Sequence, residues 1–232
     1  MPTISINQPS YIPWAGYFER IAKSDVHVIL DHVQYEKNSL INRNYIDIQS
    51  NSKFLTIPVL QKGRFQNLPI NEVLVDLRSK WNDKHLKTLE HSYKKSKNFE
   101  YFFPIIAECY KAQKNEEKLV DIINYFNFKL LRYLDIDTDI YVSSKFDFLK
   151  KKSDLVLEIC EFFECDKYLS GPMGRNYLCL ESFRAKGILV EFHDFTPMQY
   201  RSNLENLDNN LSILDLLFHQ RKEDLKMGIK DV

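Results

Sequence analysis

At 232 residues, with 44% hydrophobic and 28% charged side chains, the chain has the composition of a globular protein able to bury a proper core. Its 32 basic residues balance 32 acidic ones, so no net field favours nucleic acid or an anionic membrane surface. No window reaches the roughly 20 apolar residues of a membrane span, and residues 1–6 lack the basic-then-apolar layout of a secretory signal. A cytoplasmic location with reduced thiols is therefore expected. The four cysteines, Cys109, Cys160, Cys165 and Cys179, fit neither a CxxC pair nor a zinc ribbon.

In chain order, residues 3–7 form a short β-type run that Gln8-Pro9 ends, and Pro9 and Pro13 force a turned path after it. Tyr17, Phe18, Ile21 and Ala22 then fall at helical spacing, and residues 26–30 (VHVIL) are a compact strand. Strand, crossover helix and strand make a βαβ unit with parallel strands. Residues 45–48 and 54–59 read as a hairpin, residues 63–67 as a polar loop, and residues 70–75 as a further strand. Three helices follow, over residues 80–95, 98–112 and 116–134; the last carries an apolar stripe from Leu119 to Leu131.

A strand over residues 139–143 and a helix over 154–163 capped by Ser153 come next. After a strand at 167–170, a glycine turn opens a helix over 176–186, closed by Gly187. A strand at 188–192 completes a β-α-β-α-β run that reads as a second parallel half. The tail from Asn203 is polar until an apolar docking helix at about 211–219. The expected fold is one Rossmann-like, three-layer α/β domain over residues 1–232. Its central sheet is mostly parallel, and a β-hairpin and a helical insertion at about 80–134 are added to it.

In open parallel sheets, ligands collect beyond the carboxyl ends of the strands. Three polar or glycine-rich segments fall there: residues 7–14, 31–44 and 170–176. The first offers the paired amides of Asn7 and Gln8, with Tyr11 and Trp14 as flat surfaces. The second offers Asp31, His32, Gln34, Lys37, Arg43 and Asn44. Asp31 could orient a histidine, hold a metal or act as a base; it could equally cap a turn. His32 could sit on the surface, and Arg43 could clamp an anion or pair with Asp47. The third, with Ser170, Gly171, Gly174 and Arg175, could receive an anion at a helix start or be a plain βα turn. The G-x-G-x-x-G, P-loop, H-E-x-x-H, G-x-S-x-G and EF-hand patterns are absent, so no metal is assigned. Cys165 and Cys179 lie near the late strand without a histidine partner evident in the sequence, and His193-Asp194 follows the last strand. The run Lys150-Lys151-Lys152 reads as a solvated loop.

The run INQPSYIPWAGYFERIAKSDVHVILDHVQYEK, then NRN, LTIPV, KYLSGPMGRNYL and LSILDLLF, resembles the WbqC-like family of bacterial proteins along essentially the whole chain. That family usually reads HQP where this chain has Asn7-Gln8-Pro9; Asn7 keeps hydrogen bonds but not proton transfer. A fainter likeness is to the nucleotidyltransferase-like α/β fold, by analogy only. The resemblance implies a role in building surface polysaccharide of the O-antigen type, with acyl or aminoacyl transfer to an amino-sugar. In that scheme Asp31, His32 and Arg43 are catalytic, and Asn7, Gln8, Tyr11, Trp14, Gln34, Asn44, Ser170, Gly171, Gly174 and Arg175 bind substrate. The expected second substrate is an activated donor, acyl-thioester or nucleotide-linked. The expected partners are a sugar or nucleotide-sugar and an acyl or aminoacyl carrier protein, without nucleic acid or membrane insertion. The alternatives are a non-catalytic ligand-binding protein of the same pathway and an ATP-dependent ligase.

Overall fold

The structure, a computed structural model, describes residues 2–48, 51–60, 68–196 and 211–225. Five short strands, β1 (Thr3–Asn7), β2 (Val26–Ile29), β5 (Asp139–Val142), β6 (Lys167–Ser170) and β7 (Leu189–Phe192), form one sheet in which every pairing is parallel. Their order is β5-β2-β1-β6-β7. Helix α1 (Ala15–Ala22) links β1 to β2 as the βαβ reading requires. A separate antiparallel hairpin joins β3 (Arg43–Asp47) to β4 (Ser52–Thr56).

Alternation along the strands divides the side chains between two cores. Ile4, Ile6 and Val28 face α5 (Lys152–Phe162) and α6 (Leu180–Ala185), in a cluster with Leu155, Ile159, Tyr168 and Phe183. Ser5 and His27 point the other way, toward Tyr17 of α1. On that side lies the larger core, built from α1, the hairpin, α2 (Trp81–Tyr93), α3 (Phe99–Ala112), α4 (Leu119–Tyr133) and α7 (Ile213–His219). In α4 the expected stripe is buried: Leu119, Ile122, Ile123, Phe126 and Leu130 are each at most 1% exposed. Each contributes on the order of 1.5–3 kcal/mol. Helix α7 docks by its start and its side chains together. Its N-cap Ser212 donates to Tyr45 O at 2.7 Å, and Tyr93 stacks on Phe218 and donates to Asp215 at 2.8 Å.

Several local expectations change. Residues 70–75 are not a strand: Ile70–Glu72 is a 3-10 turn, followed by isolated bridges from Leu74 to Lys118 and from Val75 to Val59. Ile70 and Val73 are three apart, so a three-residue turn buries both on one face where a strand would split them. The helix expected over 176–186 divides into a 3-10 turn, Pro172–Asn176, and α6. Ser153 does not cap α5. The helix begins at Lys152, two residues earlier than expected, and the Ser153 hydroxyl accepts Cys179 N–H at 2.9 Å, tying α5 to the approach to α6. Gly187 does follow α6 with φ of 73°, as a helix-ending glycine should. The strands of the expected second half are parallel, but β5 lies at the far edge beside β2 rather than next to β6. The polar loop at 63–67 and the tail from Asn203 to residue 210 lie outside the described residues.

Candidate functional site

Connections from β1 run to β2 and on to β5 in one direction, whereas β6 and β7 lie on the other side of β1. The carboxyl ends of β1 and β6 therefore flank the point where strand order reverses, the place where a parallel sheet opens a crevice. A cleft of about 680 Å3 lies there. Its walls come from the loop after β1 (Asn7, Gln8, Trp14), the end of β2 (Leu30), the following loop (Val33, Gln34, Glu36), the first turns of α5 (Lys152, Val156) and the turn after β6 (Met173, Asn176, Tyr177). All three strand-end segments contribute. None of the lining residues belongs to α2, α3 or α4, so the helical block fills the opposite side of α1 rather than roofing the cleft.

The loop after β1 is pinned from beneath. Asn44, fully buried, donates its amide to Tyr11 O at 3.2 Å and Ile12 O at 3.0 Å. Those bonds hold Ile12 at φ 38°, an unusual place for a β-branched residue. Asn127 of α4 donates to Ser10 O at 3.0 Å. The Tyr11 ring is fully buried and enters a polar chain. Thr56 O only accepts, so His85 carries its proton on Nε2, 3.1 Å away. Nδ1 then accepts from the Tyr11 hydroxyl at 3.0 Å, and Tyr11 accepts from Tyr110 at 2.5 Å. Burial holds the His85 pKa down to about 4, so this ring is neutral.

The sequence candidates thus separate. Asn7, Gln8, Trp14 and Gln34 line the cleft. Tyr11 and Asn44 support its floor from within the larger core, and exposed Lys37 does not line it. Arg43 donates to Asn38 O and lies 4.0 Å over the Phe54 ring, away from the lining. The Ser170 hydroxyl donates to Gly171 O at 3.0 Å. Gly174 lies so close to that hydroxyl that a Cβ would be 2.0 Å from it, a requirement of the turn itself. Arg175 stacks 4.1 Å over Phe192.

Asp31 and His32 do not line the cleft, although Leu30 and Val33 on either side of them in the chain do. They form a hydrogen-bonded chain with Ser143 and Ser144, and His32 packs against Phe148. The Asp31 carboxylate accepts from Ser143 Oγ at 3.0 Å, Ser144 N at 2.9 Å and Ser144 Oγ at 2.7 Å. With its proton committed to Asp31, Ser143 Oγ must accept from His32 Nδ1, 2.7 Å away. His32 is thereby fixed as the tautomer with its lone pair on Nε2. Burial keeps its pKa below the ordinary histidine value. The order Asp-Ser-His differs from a nucleophilic triad, in which the histidine lies between the other two.

Sequence reasoning missed Glu36, Lys152 and Tyr177 in the lining, and a buried pair beside it. His27 is 1% exposed, bonds Ser5 Oγ at 2.8 Å, and has its pKa pushed to about 3 by burial. Arg20, on the same helix as Tyr17, is 2% exposed. Its position three residues after Tyr17 on an apolar helix face was the readable signal. His193 joins α1 rather than the cleft, bonding Glu19 at 3.3 Å and, with Lys23, holding that carboxyl below its usual range. Burial raises the Cys165 thiol to about 11, and Cys179 is exposed with only Ser182 as a side-chain partner. Among the described residues no three His, Cys, Asp or Glu side chains converge as a metal site, and no helix is long and apolar enough to cross a membrane.

No solved structure matches this chain significantly. Uncharacterized protein Rv1507c of Mycobacterium tuberculosis (strain ATCC 25618 / H37Rv) is 31% identical over 224 residues, covering 94% of each chain. Residues 8–227 match the WbqC-like protein family, a span that takes in nearly the whole cleft. That match covers nearly the whole sequence, and the chain belongs to the WbqC-like protein family.

Proposed function

We propose that the chain is a small-molecule transferase that binds a sugar-containing substrate in the cleft between β1 and β6. The observation that carries this reading is the cleft itself. Its 680 Å3 suits a ligand of nucleotide-sugar size, and its lining pairs apolar walls with a few amides. Asn7, Gln8 and Gln34 offer both donors and acceptors, as hydroxyl and N-acyl groups require. The Trp14 indole supplies a flat face for a sugar ring. In line with the resemblance to proteins of surface-polysaccharide gene clusters, the reaction is acyl or aminoacyl transfer to an amino-sugar. The acceptor nitrogen or oxygen bonds the acyl carbon, the donor's C–S or C–O bond breaks, and the leaving thiol or nucleotide takes the electron pair. His32 Nε2 removes the acceptor proton, with Asp31 and Ser143 positioning the ring.

The test incubates the protein with nucleotide-linked amino-sugars and either acyl-thioesters or amino acids plus ATP, with mass spectrometry of the sugar product. An acylated sugar is expected, with His32→Gln lowering kcat and leaving KM near its original value. Pyrophosphate release would redirect the reading to an ATP-dependent ligase. If no sugar or nucleotide-sugar binds at millimolar concentration, the reading fails. A second reading, ligand binding without turnover, is favoured by one observation: four of the cleft's polar side chains, Asn7, Gln8, Gln34 and Asn176, are amides that cannot transfer protons. Saturable sugar binding with no product in any combination would support it.

A further inference from the structure

Among the described residues, Arg20 is a buried cation without an acceptor. It is 2% exposed, its Nε is among the buried atoms with no hydrogen-bond partner, and it forms no ion pair with any described residue. Arginine is almost never buried this deeply unless paired, because desolvating the guanidinium is costly when nothing replaces water. The adjacent carboxylate, Glu19, is already committed to Lys23 and His193. The other groups that interact with Arg20 electrostatically are the side chains of Tyr168, Tyr17 and Tyr177, and burial lowers the guanidinium's own pKa.

The position of this cation is as informative as its lack of a partner. A Cβ on Gly171 would lie 2.4 Å from Nη1 and 3.3 Å from Cζ, so the guanidinium packs directly on this glycine and a larger residue would push it aside. Gly171 opens the turn whose Met173, Asn176 and Tyr177 line the cleft, and Tyr17, one helical turn before Arg20, lines it too. Neither Arg20 nor Gly171 lines the cleft itself, so the fork lies behind the wall to which Tyr17 and the β6 turn contribute, close to the reversal point of the sheet. A guanidinium is the side chain best shaped to take two oxygens of a phosphate or carboxylate at once.

We propose that Arg20 is the anion-binding residue of the cleft, taking a phosphate or carboxylate group of the bound ligand at the junction of β6 and α1. The assignment rests on reading the cleft as a ligand site and adds the ligand's charge. It makes the second substrate, or the nucleotide part of the first, an oxyanion-bearing molecule. The Gly171 turn contributes space for the cation rather than a pocket of its own.

The experiment measures pyrophosphate, malonate and neutral N-acetylglucosamine binding by calorimetry and thermal shift on the full chain, the Arg20→Met variant and the Gly171→Ala variant. Wild type is expected to bind pyrophosphate or malonate, and whichever binds more tightly identifies the oxyanion as phosphate or carboxylate. Arg20→Met should lose at least about 30-fold in anion affinity, retain neutral-sugar affinity, and melt no lower than wild type, since an unpaired buried charge has been removed. Gly171→Ala, which displaces the guanidinium without removing it, should weaken the same anion by a smaller factor. A purely structural Arg20 predicts the reverse: a lowered melting temperature in Arg20→Met and unchanged anion affinity. Anion affinity within twofold of wild type in both variants, with sugar binding intact, would overturn the Arg20 assignment and leave the cleft reading standing. Absence of both neutral and anionic binding in wild type would overturn the cleft reading and the assignment with it.

Discussion

The buried chain Tyr110, Tyr11, His85, Thr56 O permits a test in which two single-atom deletions have very different costs. In Tyr110→Phe the terminal donor is lost, but the Tyr11 hydroxyl still donates to His85 Nδ1 and no buried group is left without a partner. The expected loss is about 1 kcal/mol, one net hydrogen bond. In Tyr11→Phe the middle of the chain is lost, and both the Tyr110 hydroxyl and His85 Nδ1 are orphaned inside a fully buried cluster. At about 1–3 kcal/mol per unsatisfied group, the loss should be roughly 2–6 kcal/mol. The double variant orphans only Nδ1, so it should be no less stable than Tyr11→Phe alone, a strongly non-additive cycle. Urea unfolding followed by far-UV circular dichroism and tryptophan fluorescence reads these differences as shifts in midpoint at constant slope. A Tyr110→Phe cost equal to that of Tyr11→Phe, or additive losses in the double variant, would refute the assigned proton order. Because Tyr11 follows Ser10 in the cleft lining, Tyr11→Phe should also weaken ligand binding, whereas Tyr110→Phe should not.

Acid should destabilise the fold in a defined window. Unfolded histidine takes a proton near pH 6.5, but folded His85 does so only at about 4 and His27 at about 3. Between those values the unfolded chain binds more protons, so stability rises with pH up to about 6.5 and falls below it, by at most about 1.4 kcal/mol per pH unit per histidine. His27→Gln should flatten that slope by one proton's worth, read from urea midpoints at pH 4.5, 5.5 and 7. Asp31→Asn should cost roughly 2–3 kcal/mol by placing an amide where three donors converge, and the same urea titration measures it. Gly187→Ala should cost about 1–2 kcal/mol from its φ of 73° alone, since a Cβ there meets nothing within 4 Å; Gly187→Asn should cost less.

The βαβ start was legible because Tyr17, Phe18 and Ile21 keep helical spacing and residues 26–30 are apolar at every position but His27, close to what a strand buried on both faces requires. Residues 70–75 were not, because Ile70, Val73 and Val75 fit two periods over so short a span. The position of β5 beside β2 depends on packing across the sheet, which local pattern does not encode. Polarity at strand ends located the cleft but not the duty of each side chain. Asp31 clamping Ser143 and Ser144 has the same sequence appearance as a carboxylate facing a ligand. Lys152 read as part of a solvated basic run, and only the start of α5 brings it to the cleft. Arg20 drew no assignment from the sequence, since a single arginine on a short helix carries no motif, and its burial is a property of the packed fold.

The central strand has an uneven history along the chain. Its ladder with β2, Ile4 to Val26 and onward, closes a short loop and can form as soon as both strands exist. Its other edge pairs Thr3 with Lys167 and Ile4 with Tyr168, across most of the described chain. During synthesis β1 therefore carries a bare, apolar edge until β6 has been made, the kind of edge that recruits strands from other molecules. Aggregation of nascent chains should start at the N-terminal βαβ unit, and expression yield should respond more to charge placed at Pro2, exposed just before β1, than to comparable changes in β7.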